Sequence, residues 1–83
     1  MKVYTALMLD EEEVADHNCP TVLVAAHPGI LLSKVREHVK NTSWMHPLDV
    51  NEAEVDTMSI DEINKKLVEA EATMFIQVEE HEV

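Results

Sequence analysis

The chain has 83 residues, of which 46% are hydrophobic, one is Gly and three are Pro, so it has the size of about one small domain and a composition that excludes low complexity. Seventeen acidic residues against six basic ones give a formal net charge of -11, which predicts repulsion from nucleic acid and anionic membranes and attraction to basic proteins. Acidity of this degree also keeps small domains soluble and monomeric, and both interpretations stay open.

Two strands are predicted in the first third of the chain. Residues 2–9, KVYTALML, carry the β-branched residues and the period of a strand. The acid-rich residues 10–20 and Pro20 then indicate a turn region. Residues 21–26, TVLVAA, are apolar on both faces, which is typical of a strand inside a sheet, so we expect this second strand to be central. A hairpin with a long loop is the simplest interpretation.

Two helices are predicted next. Pro28 suits a first helical position, and Leu31, Leu32, Val35 and Val39 recur at helical spacing, which predicts an amphipathic helix over about 28–41. Residues 42–58 lack a clean period and contain a Pro, so an irregular insertion is expected there.

The second helix has a stronger start signal. Ser59 followed by Glu62 is the spacing of a capping box, which predicts a helix over 60–71.

A third strand is predicted over 73–83, where apolar and acidic residues alternate. Met74, Ile76 and Val78 would face the helices, and the opposite face would be exposed and acidic. The predicted fold class is therefore α+β: residues 1–83 form one small β-β-α-α-β domain, with a mainly antiparallel three-stranded sheet, helices on one face and an irregular insertion at about 42–58. Strand order does not follow from the pattern. Glu79, Glu80 and Glu82 are expected to protect an edge.

The remaining class arguments concern the membrane and redox state. The longest apolar stretch, residues 21–32, is interrupted by His27, Pro28 and Gly29, which predicts no membrane-spanning helix. The N-terminus shows no cleavage-site pattern, so a cytoplasmic protein is expected. Cys19 is the single cysteine, which excludes an internal disulfide.

The layout resembles that of very small, acidic bacteriophage proteins. The segments that carry the resemblance are KVYTALML, the step from TVLVAA into an amphipathic helix, and the terminal IQVEEHEV. Many such proteins bind and inhibit host machinery, including restriction and CRISPR defences, and some acidic ones mimic DNA. The resemblance implies this class of behaviour in the host cytoplasm, and no functional residue is transferred by it.

Enzymatic and metal-binding interpretations are weak. A zinc site would start from His17 and Cys19, with His27, His38 and His46 as further ligands, but this spacing matches no common site. Acidic neighbours should raise the pKa of a thiol and make Cys19 a poor nucleophile. We therefore expect no catalysis, no metal and no cofactor.

Two features are candidate partner-binding sites. The first is an acidic set that could imitate a phosphate array or could simply be solvated. Its members are Asp10, Glu11, Glu12, Glu13, Glu52, Glu54, Asp56, Glu69, Glu71, Glu79, Glu80 and Glu82. The second is Trp44 with Met45, because Trp and Met are frequent at binding surfaces; the alternative places Trp44 over the core.

The sequence thus predicts a non-enzymatic protein that binds a basic protein or nucleoprotein complex of a bacterial host and inhibits it, without direct contact to nucleic acid or membrane. The alternative is a homodimeric structural or regulatory protein, paired through an edge strand or through residues 28–47, which carry three basic residues and one acidic residue. A small-molecule or metal-binding domain is the third hypothesis.

Overall fold

The computed structural model of the chain describes residues 1–12 and 20–83. The strands are β1 (Lys2–Asp10), β2 (Thr21–Ala25) and β3 (Met74–Glu82). The helices are α1 (Pro28–Lys40), α2 (Met45–Leu48), α3 (Glu52–Val55) and α4 (Ile60–Glu69). The predicted α+β class is confirmed, and each predicted strand and long helix lies within two residues of its expected bounds.

The three strands form an antiparallel sheet in the order β2-β1-β3. Tyr4 of β1 lies opposite Ala25 of β2 and opposite Glu80 of β3. The expectation that the second strand is central was wrong, since β1 is central and β2 forms an edge. β2 is therefore apolar on both faces although it has a neighbouring strand on one side only.

The hydrophobic core lies between one face of the sheet and the helices. Ala6 and Met8 of β1 and Ile76 of β3 are buried on that face. Leu31, Val35 and Val39 of the predicted α1 stripe are buried, whereas Leu32 is partly buried, and α4 buries Ile63 and Leu67. Burial of these side chains supplies the main favourable free energy of folding.

The two long helices begin where local chemistry favours a helix start. Pro28 occupies the first position of α1, where its missing N–H has no intrahelical partner to lose. At α4, the Ser59 hydroxyl accepts a hydrogen bond from the Glu62 N–H (3.2 Å), and the Glu62 carboxylate accepts one from the Ser59 N–H (3.5 Å). The predicted capping box is confirmed.

Residues 42–58 are more ordered than the predicted irregular insertion. They contain the single-turn helices α2 and α3, and the Asn51 side chain caps α3 by accepting from the Glu54 N–H at 2.9 Å. Four side chains of this segment enter the core: Trp44, Leu48, Val55 and Met58. The sequence does not predict these two helices, because four residues are too few to show a hydrophobic period.

Candidate binding surface

The face of the sheet turned away from the helices is a candidate binding surface, called here the open face. Side chains alternate between faces along a strand, and residues directly opposite each other in the register share a face. The register therefore assigns one set of side chains from each strand to this side. They are Val3, Thr5, Leu7 and Leu9 of β1, Val22 and Val24 of β2, and Phe75, Gln77, Glu79 and His81 of β3.

Apolar side chains dominate the open face and remain accessible to solvent. Val22, Val24 and Phe75 retain 56%, 48% and 49% of their accessible surface. Leu7 and Leu9, on the central strand between them, are partly exposed. Because exposed contiguous apolar patches are often binding sites, this face is the candidate binding site.

The expected acidity of this face was wrong. Its single acidic side chain is Glu79, whose carboxylate lies 3.7 Å from the His81 Nε2 atom. His81 Nε2 also lies 3.0 Å from the Thr5 hydroxyl, so these polar groups lie together on β3 and the adjacent part of β1. The rest of the face is without charge, because its other side chains are apolar except for the uncharged amide of Gln77.

The two other acids of β3 lie on the helix side of the sheet and are exposed. The Glu80 carboxylate lies 3.0 Å from the Lys2 ammonium and accepts a hydrogen bond from the Tyr4 hydroxyl at 3.4 Å. The hydrogen bond with Lys2 and its charge lower the pKa of Glu80, and the same contacts raise the pKa of Lys2. Glu82 lies 3.5 Å from the amino group of Met1.

Asp10 does not belong to the exposed acidic set, because only 6% of its surface is accessible. Its carboxylate accepts hydrogen bonds from the Glu12 N–H (3.0 Å) and the Thr73 hydroxyl (2.9 Å). Asp10 therefore joins the end of β1 to the start of β3. Glu11 and Glu12 are exposed, whereas Glu13 lies outside the described residues.

The acidic side chains in and next to α3 are exposed, but one of them is already paired with a cation of the same chain. Asp56 accepts a hydrogen bond from the Lys40 ammonium at 2.8 Å, and Glu37 lies 3.3 Å from the same group. The contact with Asp56 is the main cause that raises the pKa of Lys40. Glu52 and Glu54 remain solvent-facing. The predicted acidic set is thus divided among several elements instead of forming one array.

The basic side chains of α1 are also engaged within the molecule. The Lys34 ammonium donates to the Val24 carbonyl at 2.6 Å, and the Arg36 guanidinium donates twice to the Met58 carbonyl, at 3.0 and 2.8 Å. These contacts attach α1 to β2 and to the segment before α4. In the predicted alternative of a dimer formed through this basic helix face, Lys34 and Arg36 would have to contact the second copy while keeping these hydrogen bonds within their own chain.

Trp44 lies in the core with 3% of its surface accessible, so its predicted role as a surface contact was wrong and the alternative is correct. Met45 is partly buried and packs on the same core. The His38 ring meets Trp44 edge-on, with centroids 6.3 Å apart. Trp44 therefore contributes to the packing of the core.

Within residues 1–12 and 20–83, no group of three or more His, Cys, Asp or Glu side chains could hold a metal ion. His17 and Cys19 of the hypothetical zinc site lie outside this part of the chain. No helix in the same residues is long and apolar enough to cross a membrane.

The exposed apolar face was not predicted from the sequence, although the apolar residues of β2 that form part of it are evident in the sequence. The apolar run that contains Val22 and Val24 predicts a strand between two other strands. In the structure both residues lie on the exposed face of an edge strand. No protein-family model, curated protein or solved structure shows significant similarity to the chain.

Proposed function

We propose that this protein is a non-enzymatic binding module that docks on a basic protein through the open face of its sheet. The observation that carries the proposal is the half-exposed apolar set Val22, Val24 and Phe75 on a molecule with a net charge of -11. A mainly apolar face within an acidic surface matches a partner with an apolar patch bordered by Lys and Arg side chains.

The size of the open face and the charge around it together favour such a partner over a second copy. A strand of nine residues is about 30 Å long, and three strands span roughly 10–15 Å, so the face covers a few hundred Å². Stable interfaces bury about 800 Å² per partner. Contacts around the rim must supply the difference, and a second copy would bring another acidic rim, which repels the first.

A basic protein that handles nucleic acid offers the required border, so inhibition of such a bacterial complex falls within the proposal. The stricter form, in which the acids imitate DNA, stays a prediction with less support. Asp10 is interior, Asp56 is paired with Lys40, and Glu80 is paired with Lys2.

Photo-crosslinking tests the proposal by position. A benzoyl-phenylalanine is introduced at Val24 on the open face or, as a matched control, at Val68, which is 67% exposed on α4. In bacterial extract at about 100 mM salt we expect a crosslinked partner from position 24 only. At about 500 mM salt the yield should fall, because exposed charges are then screened over a few Å.

The captured partner is then purified and its affinity is measured by calorimetry. We expect Val24→Glu to weaken binding at least tenfold, since it places a charge in the apolar centre of the contact, and Val68→Glu to leave binding unchanged. Crosslinks from position 24 to the same chain alone, or equal losses for the two variants, would overturn the proposal. Self-association would also strengthen with salt rather than weaken.

A further inference from the structure

The outer edge of β3 is a second feature that the open face does not explain. The Glu11 N–H donates to the Thr73 carbonyl at 3.0 Å, and the Val83 N–H donates to the Met1 carbonyl at 2.8 Å. In an antiparallel pair, backbone groups of alternate residues point to the neighbouring strand. The odd-numbered residues of β3 therefore pair with β1, and the N–H and C=O groups of the even-numbered residues point outward.

One even-numbered position already has a partner. The Asn64 side chain of α4 donates to the Ile76 carbonyl at 2.8 Å and accepts from the Ile76 N–H at 2.9 Å. This amide takes the place of a neighbouring strand at that point. Among residues 1–12 and 20–83, no strand or side chain bonds the outward backbone groups of Val78, Glu80 or Glu82.

An apolar groove lies beside the first of these free positions. Pro28 and Leu32 of α1, Ile60 of α4 and Val78 line it, and Ser59 and Asp61 form its polar border. Val78 retains 44% of its accessible surface. A side chain on a strand added opposite Val78 would point to the same side of the sheet and enter this groove.

The charges along the free edge select a basic occupant. Glu80 and Glu82 lie on the same side as Val78, and Glu79 lies on the other. Their partners Lys2 and the Met1 amino group form exposed ion pairs, which exchange readily with other cations. At the opposite edge of the sheet the Lys34 ammonium lies on the Val24 carbonyl, so that edge repels a basic strand.

We propose that the β3 edge from Val78 to Glu82 binds an extended basic segment as a fourth, antiparallel strand. An apolar side chain occupies the groove opposite Val78, and Lys or Arg side chains lie opposite Glu80 and Glu82. In chain order the ligand reads basic, any, basic, any, apolar. This mode of recognition uses backbone hydrogen bonds for affinity and alternate side chains for specificity. It is independent of the open face.

The test uses a peptide of the sequence Thr-Lys-Thr-Lys-Thr-Leu-Thr, measured by calorimetry and by amide NMR on the intact protein at about 100 mM salt. We expect saturable binding with shifts concentrated at the amides of Val78, Glu80 and Glu82. N-methylation of the second Lys removes a donor that faces β3 and should weaken binding at least tenfold. N-methylation of the Thr between the two Lys residues, whose N–H points away, should change affinity less than threefold.

Protein variants separate this site from the open face. The double variant Glu80→Gln, Glu82→Gln should weaken the peptide at least fivefold, whereas the matched double variant Glu69→Gln, Glu71→Gln should change it less than twofold. Val24→Glu should leave peptide binding unchanged, so failure of one proposal does not imply failure of the other. Equal weakening by the two N-methyl groups, or shifts centred on Val24 and Phe75, would overturn the inference.

Discussion

Both faces of the sheet carry apolar side chains, but the helices bury those of only one face. β1 places Ala6 and Met8 on one side, where the helices bury them, and Leu7 and Leu9 on the other, where they stay partly exposed. The difference comes from the connections, since α1 and α4 both pack on the same side. Apolar residues therefore identify surfaces that favour burial, and topology decides which of them is covered within the chain.

The largest expected contrast is between truncations on the two faces. Leu67→Ala removes a fully buried side chain of α4 and should lower the free energy of unfolding by about 2–5 kcal/mol. Val24→Ala on the open face should lower it by about 0.5 kcal/mol or less. Urea unfolding followed by circular dichroism measures the two values. Similar losses would show that the open face is covered in the free protein.

A second prediction concerns the buried carboxylate at the end of the covered face. Asp10→Ala leaves the Glu12 N–H and the Thr73 hydroxyl without their acceptor, so we expect a loss of about 1–3 kcal/mol in unfolding free energy. Asp10→Asn keeps one acceptor oxygen and serves as the control, with a smaller loss. Equal stability of Asp10→Ala and the unchanged protein would contradict the assigned role.

A third prediction concerns the contribution of the capping box at the start of α4 to stability. Ser59→Ala removes the acceptor for the Glu62 N–H and should cost about 1 kcal/mol in unfolding free energy. Ser59→Asp should retain most of the stability, because its carboxylate can accept the same bond. Hydrogen exchange should locate the added mobility in the first turn of α4, and an effect spread evenly over the molecule would argue against a local cap.

The smallest effect is expected at the exposed pair of Lys2 and Glu80. Their hydrogen bond lowers the pKa of Glu80, so the stabilisation is complete above the ordinary carboxyl pKa and is lost as pH falls through the lowered value. In Lys2→Met, NMR titration should show the Glu80 midpoint moving up toward its ordinary value. An unchanged midpoint would show that the pair does not form in solution.

Periodicity was sufficient to locate the two long helices, because each has a single buried stripe, such as Leu31, Val35 and Val39 in α1. It could not give the strand order, since an interior strand and an edge strand with an exposed apolar face produce the same run TVLVA. It also could not reveal that Asp10 is buried, because Thr73, its partner, is 63 residues away. Long-range contacts of this kind override local pattern.

The strand order has a consequence for the timing of folding. A chain is synthesised from its N-terminus, so β1 and β2 can form their hairpin early, while β3 follows after more than forty intervening residues. Until then the central strand has one unpaired edge, and neither of its apolar sides is secured by a complete sheet. Contacts between such distant segments form slowly, and exposed edges promote aggregation. Nascent chains that stop before Met74 should therefore be the species most dependent on chaperones.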